Sequence, residues 1–300
     1  KLFAKDISAL QVELSMNKCD ATIRNQVGSA SEPYRAILKP LVKRLRATKD
    51  GIDDLLNGRI ADDSNWIHSQ KELLKPLMQC YRSLVSCGLE QTAKGGLLDT
   101  IRRAHCFGVY LLKLDIRQDS GRHADAIAEI CDYLSLGEYH SWDEATKITF
   151  LTKEMASKRP FLPNAWQADW QPSPDVQEVL DTCRTVAVND RDAFGIYIIS
   201  MASFASDVLA VQLLLQQCQV TWPMSVAPLF ETLDDLNQSP VVIDQLLSID
   251  SYRNGLADGQ HIMIGYSDSA KDAGALAAGW AQYTAQESLV AICAKYDTSL

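Results

Sequence analysis

Three charged side chains, Asp268, Lys271 and Asp272, follow directly after a short apolar run in the segment HIMIGYSDSAKDAG. The run Ile262–Ile264 predicts a buried strand, Gly265 allows the backbone to turn, and an Ala-rich helical pattern follows. Loops at such a junction are held by a rigid frame, and functional residues are concentrated there. The segment is therefore the first candidate for a functional site.

Polar residues also stand at the ends of three other strand-like runs. They are Asp115 and Arg117 in the first run, Ser200 in the second and Glu231 after the third. In open α/β sheets and in (β/α)8 barrels, the loops at the carboxyl ends of parallel strands converge on one site. Four successive strands with this pattern predict a single shared site.

Glu231 and Asp268 are the two carboxylates that neighbouring strands would bring together. Parallel strands lie about 5 Å apart, so the two groups can share one divalent cation. Oxygen ligands without a nearby His or Cys favour Mg²⁺ or Mn²⁺. The alternative is that each carboxylate caps the helix that follows it. Spacing alone leaves both interpretations open.

Arg117 is expected to project its guanidinium into the same mouth, where it can bind phosphate or carboxylate with two parallel hydrogen bonds. An intramolecular ion pair with Asp115 or Asp119 explains the residue equally well. Lys271 lies one helical turn beyond Asp268 and can face either the site or the solvent.

The remaining candidates fit structural roles better. His123 and His261 are possible acid–base groups, but neither has partners at the spacing of a catalytic triad or a metal site. Asp234 and Asp235 are expected in the first turn of a helix, where the helix dipole favours acids. The sequence contains no GxGxxG, GxxxxGK[ST] or GxSxG motif, so nucleotide-loop and serine-hydrolase functions lack their main signals.

The elements that position these residues fall into two parts. Residues 1–106 carry apolar residues at helical spacing and predict an all-helical segment. Residues 107–300 alternate strands with helices, which implies parallel pairing. The predicted strands are Val109–Arg117, Gly195–Ser200, Met224–Phe230 and His261–Tyr266. A helical insertion at about 135–192 separates the first two strands, and its tryptophans are expected to anchor an irregular loop. These are Trp142, Trp166 and Trp170.

Composition excludes several functional classes. The 300 residues are 47% hydrophobic and carry a formal net charge of −9, which argues against a general binder of nucleic acid or anionic membranes. Eight cysteines without a CxxC pair predict reduced core thiols of a cytoplasmic protein. There is no secretory signal pattern, and no apolar stretch approaches the roughly 20 residues of a membrane span.

Along essentially its whole length the chain resembles the central part of the bacterial phosphoenolpyruvate carboxylase family. The strongest motif is IMIGYSDSAKDAG, supported in order by FGVYLLKLDIRQDSGRH, ISMASFASDVLAV and VAPLFETLDDL. The resemblance implies that phosphoenolpyruvate and bicarbonate are converted to oxaloacetate and phosphate with Mg²⁺ or Mn²⁺, to supply the citric acid cycle. It also implies an allosteric, homotetrameric full-length enzyme and an α/β fold in which these four strands belong to a partial (β/α)8 barrel.

The resemblance assigns roles to individual residues. It implies that Glu231 and Asp268 bind the metal, that Arg117 binds the substrate phosphate, and that Lys271 belongs to the active site and acts on bicarbonate. An apolar pocket for CO₂ and the substrate methylene is matched by Leu229 and Met263. A dry wall suits an uncharged gas and keeps bulk water from protonating an enolate.

Two motifs of the family do not occur in these 300 residues. They are TAHPT, which carries a catalytic His, and the loop HGRGG. The sequence therefore predicts that this chain is a fragment that holds part of a site and is inactive by itself. One alternative function is another metal-dependent barrel lyase or aldolase that forms an enolate. The other alternative function is that of a helical interaction module with a degenerate barrel and no activity. The polar residues at four strand ends argue against this alternative.

Overall fold

Helices account for all the regular structure of the first unit of the chain, Lys1–Lys113. The structure, a computed structural model, describes residues 1–163 and 170–300. The helices of this unit are α1 (Leu2–Glu13), α2 (Ala21–Val27), α3 (Pro33–Leu56), α4 (Gln70–Ser86), α5 (Glu90–Thr92) and α6 (Leu98–Phe107), with a π-helical turn at Ala93–Leu97. The helical prediction for this part of the chain is confirmed.

Local sequence signals explain where these helices begin. Asp20 and Ser69 are N-caps whose side chains accept the backbone N–H groups of Ile23 and Glu72. Pro33 occupies the start of α3, where its missing N–H costs nothing. The apolar stripes of the helices meet in one core, whose fully buried members include Ile7, Leu38, Leu73 and Leu77.

The second unit, Leu114–Leu300, alternates strands and helices around a parallel sheet. Its elements are β1 (Leu114–Asp119), α7 (Ser120–Tyr133), α8 (Glu144–Ala156), α9 (Pro174–Val188), β2 (Phe194–Ser200), α10 (Ala205–Gln217), β3 (Val226–Phe230), α11 (Leu233–Ser248), α12 (Asp250–Asn254), β4 (Met263–Ile264), α13 (Tyr266–Ala273) and α14 (Ala275–Lys295). The four strands pair in the order β1-β2-β3-β4, and every pair is parallel. The α/β prediction with four parallel strands is confirmed.

The register of the sheet decides which side chains share a face. Arg117 lies opposite Ile198, which lies opposite Ala227, and Leu229 lies opposite Met263. Because successive side chains of a strand point to opposite faces, these five residues share one face. The other face packs into the core that the helices cover, with Tyr197, Ile199 and Phe230 among its members.

The first strand begins later than the sequence predicted. Val109–Arg117 was expected to be the strand, but the chain turns through Gly108 and Leu111, both of which have positive φ, and β1 starts at Leu114. Leu111 and Leu112 are exposed. Apolar composition alone therefore gave a wrong start for the strand, because these leucines lie in a turn and outside the core.

The last strand is shorter than predicted, and the helix after it begins earlier. His261–Tyr266 was expected to be extended, but β4 contains only Met263 and Ile264, and α13 begins at Tyr266. A second helix, α14, follows after Gly274, whose φ of +80° breaks the helical path. Asp268 therefore lies in the first turn of a helix.

The insertion between β1 and β2 contains α8 and α9 together with an aromatic cluster. Trp142 packs edge-on against Phe150, with ring centroids 4.9 Å apart, and Trp170 is buried in the core of the unit. The anchoring expected of the insertion's tryptophans is thus observed at Trp142 and Trp170. Trp166 lies outside the described residues.

Two further features bear on the composition-based predictions. No helix in residues 1–163 and 170–300 is long and apolar enough to cross a membrane. All eight cysteines are free thiols, of which five are buried. Cys106 is exposed, so the prediction of core thiols is wrong for that residue.

Candidate active site

Glu231 is the first residue after β3, and only 10% of its side chain is exposed. Its Oε1 accepts a hydrogen bond from Arg117 Nη2 at 2.8 Å, and its Oε2 accepts one from the backbone N–H of Met201 at 3.3 Å. Glu231 does not cap α11, because Thr232 and Asp235 form a reciprocal capping box there. The capping alternative is therefore wrong for Glu231.

Arg117 lies inside β1, two residues before its end, and not at the strand terminus as predicted. The partner that the structure shows for its guanidinium is Glu231. The carboxylates that were expected to compete for it have other roles. Asp115 Oδ1 accepts the backbone N–H of Ile196 at 3.0 Å, and Asp119 is the N-cap of α7. The side chain of Arg117 reaches across β2 to the end of β3 and remains 56% exposed.

The three charges of α13 divide into two groups. Asp268 is 48% exposed, and its Oδ1 lies 3.4 Å from the Nζ of Lys271, which is 78% exposed. Asp272 instead accepts the backbone N–H of Leu233 at 2.9 Å, which ties α13 to the start of α11. In the first turn of α13, Asp268 also suits the helix dipole. The capping alternative is nevertheless wrong for Asp268, because the N-cap of α13 is Gly265 and no side chain caps that helix.

Gly265 brings the loop before α13 close to Glu231. Its N–H donates to the backbone oxygen of Phe230 at 3.0 Å, which extends the pairing of β3 and β4. Its φ of −81° is one that any residue can adopt, so the backbone turn does not require glycine. A Cβ at this position would lie 3.2 Å from the Cα of Glu231 and 3.3 Å from its Cγ. Gly265 therefore lets this loop approach Glu231 closely, a role that the sequence did not predict.

An apolar surface lies next to the pair formed by Arg117 and Glu231. Leu229 is 3% exposed, stands two residues before Glu231 on the same face of β3, and is the register partner of Met263 on β4. Ile198 is buried on the same face of β2. The structure thus brings Leu229 and Met263 together, and it adds Ile198, which the sequence did not single out.

Met201 was also missed by the sequence. It follows β2 with a φ of +55°, which is unusual for a residue that is not glycine. In this conformation its N–H reaches Glu231, and its backbone oxygen accepts a hydrogen bond from Ser120 Oγ at 2.8 Å. Nothing in the side chain of methionine signals such a backbone conformation. Its role is visible only in three dimensions.

His123 is on the wrong side of the sheet for catalysis at this site. It is fully buried, and its Nε2 lies 2.9 Å from the hydroxyl of Tyr197, which belongs to the face that packs against the helices. Burial, together with the nearby charge of Arg122, lowers the pKa of His123 to about 3. The histidine is therefore neutral at physiological pH, and the structural interpretation is supported. His261 keeps a buried Nδ1 without a hydrogen-bond partner among the described residues.

The donor set fits a hard cation with few protein ligands. No group of three or more His, Cys, Asp and Glu side chains in residues 1–163 and 170–300 is arranged to hold a metal. Glu231 and Asp268 follow neighbouring strands and offer only oxygen atoms. Mg²⁺ is commonly bound through one or two carboxylates, with waters and substrate oxygens completing its octahedron. The two residues match that pattern.

Comparison with known proteins gives a consistent result. A family model described as phosphoenolpyruvate carboxylase matches residues 2–300. The phosphoenolpyruvate carboxylase of Vibrio vulnificus (strain CMCP6) is 55% identical over 290 residues, which are 96% of this chain and 33% of that protein. Those of Tolumonas auensis and Pseudomonas putida are 52% and 51% identical over 299 residues, covering 100% of this chain and 34% of each relative. The chain spans about a third of the length of the curated relatives it matches.

Proposed function

This chain belongs to the phosphoenolpyruvate carboxylase family, and we propose that the full-length protein converts phosphoenolpyruvate and bicarbonate to oxaloacetate and phosphate. In this proposal the enzyme is cytoplasmic, allosteric and homotetrameric, and it supplies the citric acid cycle. The chain alone is proposed to be inactive, because neither TAHPT nor HGRGG occurs in its 300 residues.

The contact between Arg117 and Glu231 is the observation that supports the proposal most strongly. The two residues are 114 positions apart, yet their side chains meet at 2.8 Å across the intervening strand. One is suited to bind a substrate anion and the other to bind a cation. An enzyme that acts on a phosphorylated carboxylic acid with a metal needs both groups side by side.

Arg117 is proposed to bind the phosphate of phosphoenolpyruvate. A guanidinium has five N–H donors in a planar fork, which suits the oxygens of phosphate. More than half of the side chain is exposed, so an anion can approach it. Its contact with Glu231 holds the guanidinium beside the metal ligands, and the phosphate is thereby placed next to the cation.

Glu231 and Asp268 are proposed to hold the divalent cation, Mg²⁺ or Mn²⁺, on which the family generally depends. When bound, the cation supplies positive charge for the substrate oxygen that becomes negative during the reaction. The Met201 N–H and Arg117 orient the carboxylate of Glu231 before any ligand arrives. Such preorganisation reduces the free energy needed to assemble the site.

Lys271, Leu229 and Met263 complete the proposed site. Lys271 carries an exposed ammonium 3.4 Å from Asp268, where it can bind bicarbonate. The apolar side chains of Leu229 and Met263 are neighbours on β3 and β4. They favour uncharged CO₂ and exclude water from the substrate carbon that CO₂ is added to. In the full-length protein these four strands are proposed to form part of a closed (β/α)8 barrel, with the site at the carboxyl ends of its strands.

Activity measurements separate this function from the alternative of a metal-dependent lyase or aldolase. Full-length protein is incubated with phosphoenolpyruvate and Mg²⁺ in bicarbonate-free and bicarbonate-containing buffer, and oxaloacetate is detected by its reduction with NADH and malate dehydrogenase. We expect oxaloacetate only when bicarbonate is present. Absence of oxaloacetate under both conditions would refute the carboxylase function.

A further inference from the structure

A buried chain of hydrogen bonds connects α14 to the loop before α13. Gln282 of α14 is 7% exposed, and its Nε2 donates to Ser269 Oγ at 2.8 Å. Ser269 is fully buried, and its hydroxyl lies 2.6 Å from the backbone oxygen of Gly265 and 3.3 Å from that of Tyr266. Because the contact with Gly265 is the shorter one, this chain of hydrogen bonds ends at the carbonyl oxygen of Gly265.

The direction of donation along this chain of hydrogen bonds follows from the donors and acceptors available. A serine hydroxyl has one proton to donate and two lone pairs to accept with. Because the amide of Gln282 donates to Ser269, the serine proton remains for the Gly265 oxygen. Leaving a buried polar group without a partner is unfavourable, so this arrangement is favoured over one with broken hydrogen bonds.

Gly265 is held from its other side by the strand that leads to Glu231. Its N–H donates to the Phe230 oxygen at 3.0 Å, and a Cβ on it would lie only 3.2 Å from the Cα of Glu231. The peptide groups on both sides of Gly265 are therefore fixed by hydrogen bonds. Three residues further along the chain, α13 presents Asp268. Any shift of Gly265 moves Asp268 relative to Glu231.

We propose that Gln282 is a positioning residue for the metal site. Acting through Ser269, it fixes Gly265 against the strand end that carries Glu231. The separation between the carboxylates of Glu231 and Asp268 is set in this way. The inference rests on the proposed function, in which these two carboxylates bind the cation. Residues that orient metal ligands typically change metal affinity by 10–100-fold when mutated.

The test measures Mn²⁺ binding to metal-free full-length protein and to its Gln282→Leu and Gln282→Glu variants. Leucine removes the donor at similar volume, and a carboxylate accepts the serine proton instead of supplying one. Free Mn²⁺ is followed by electron paramagnetic resonance, which does not depend on activity. We expect the dissociation constant to rise about tenfold or more in both variants. Faster hydrogen exchange of the Gly265 amide is expected as well.

Two further variants define what the result means. Gln286→Leu is the matched control, because Gln286 is exposed and lies one turn further along the same helix, with its Nε2 3.5 Å from the Tyr266 hydroxyl. It should leave Mn²⁺ affinity unchanged. Gly265→Ala displaces Glu231 directly and should weaken Mn²⁺ binding without involving Gln282. If Gln282→Leu does not fold, Gln282→Glu, which is nearly identical in shape, decides the test.

Mn²⁺ affinity within twofold of wild type in a folded Gln282 variant would overturn the inference. An equal loss in Gln286→Leu would also overturn it, because the effect would then be a general one of α14. Carboxylation by the wild-type protein is measured separately with the oxaloacetate assay. A wild type without carboxylation refutes the proposed function, whereas the Mn²⁺ affinities still decide the role of Gln282.

Discussion

Replacing His123 by glutamine should remove a defined part of the pH dependence of stability. In the folded protein burial lowers the pKa of His123 to about 3, from a reference value of 6.5. Below about pH 6.5, His123 therefore binds a proton in the unfolded chain but stays neutral in the folded chain. The free energy of unfolding consequently falls as the pH falls below about 6.5. Between about pH 8 and pH 5 the loss from this residue is about 2 kcal/mol.

The His123→Gln variant keeps a hydrogen-bonding group beside the Tyr197 hydroxyl but does not titrate. His123 lies in the unit Leu114–Leu300. For a cooperative unit of about 150–250 residues, about 2 kcal/mol corresponds to a shift of roughly 4–8 °C in melting temperature. We therefore expect the drop in melting temperature between pH 8 and pH 5 to be smaller in the variant by that amount. Differential scanning fluorimetry of the full-length protein measures it.

The control for this prediction is His140→Gln. His140 is an exposed histidine 3.1 Å from Asp125, so the substitution changes the same residue type at the surface. Mass spectrometry of hydrogen exchange at the imidazole C2 carbon gives an independent measure of protonation. A titration of His123 near pH 6.5, or an unchanged pH dependence in His123→Gln, would refute the assignment of a buried neutral histidine.

Two other predictions concern charged residues near the strand ends. Burial raises the pKa of Asp207 to about 6, so the free energy of unfolding should fall as the pH rises from about 4 to 6. Asp207→Asn should remove this contribution and raise the free energy of unfolding at neutral pH by up to about 3 kcal/mol. Urea unfolding at several pH values measures both effects. The unaltered trend in the variant would contradict this. Arg117→Lys keeps the positive charge but loses the planar guanidinium that binds phosphate with two parallel hydrogen bonds. In steady-state assays kcat/KM for phosphoenolpyruvate should therefore drop about tenfold to a hundredfold. An unchanged kcat/KM would argue against phosphate binding by Arg117.

The parallel sheet was predictable because its signals are local. The second and third strands are apolar runs, and the structure places them at Phe194–Ser200 and Val226–Phe230, close to the predicted bounds. The helix after β3 starts with the capping box of Thr232 and Asp235, which is visible as a spacing in the sequence. Short-range patterns of this kind fix the element order without knowledge of the tertiary structure.

The contacts that build the candidate site were not predictable in the same way. The sequence offered Asp115 and Asp119 as partners of Arg117, but the structure shows Glu231, which is 114 residues away. The φ of +55° at Met201 depends on the groups that surround its peptide. Such features follow from packing between distant segments, and no local pattern encodes them.

Gly265 has a second role that the sequence did not predict. From the sequence, Gly265 was expected to allow the backbone to turn between the strand and the helix. The structure shows an ordinary φ at this turn, and a Cβ on Gly265 would lie only 3.2 Å from the Cα of Glu231, so a side chain there would press on that residue. The hydrogen bond between Ser269 and Gln282 was also not predicted, because it joins two helices and Gln282 lies outside the motif that contains Ser269.

The most direct test of the account is whether Glu231 and Asp268 bind one divalent cation together. Mn²⁺ is titrated into metal-free full-length protein and into its Glu231→Gln, Asp268→Asn and Asp272→Asn variants, with free Mn²⁺ measured by electron paramagnetic resonance. Asp272→Asn is the control, because it removes one charge from α13 at a residue whose partner is the Leu233 N–H.

We predict one Mn²⁺ per chain in the wild type, an affinity at least about tenfold weaker in Glu231→Gln and in Asp268→Asn, and wild-type affinity in Asp272→Asn. Wild-type affinity in either of the first two variants would contradict the central claim.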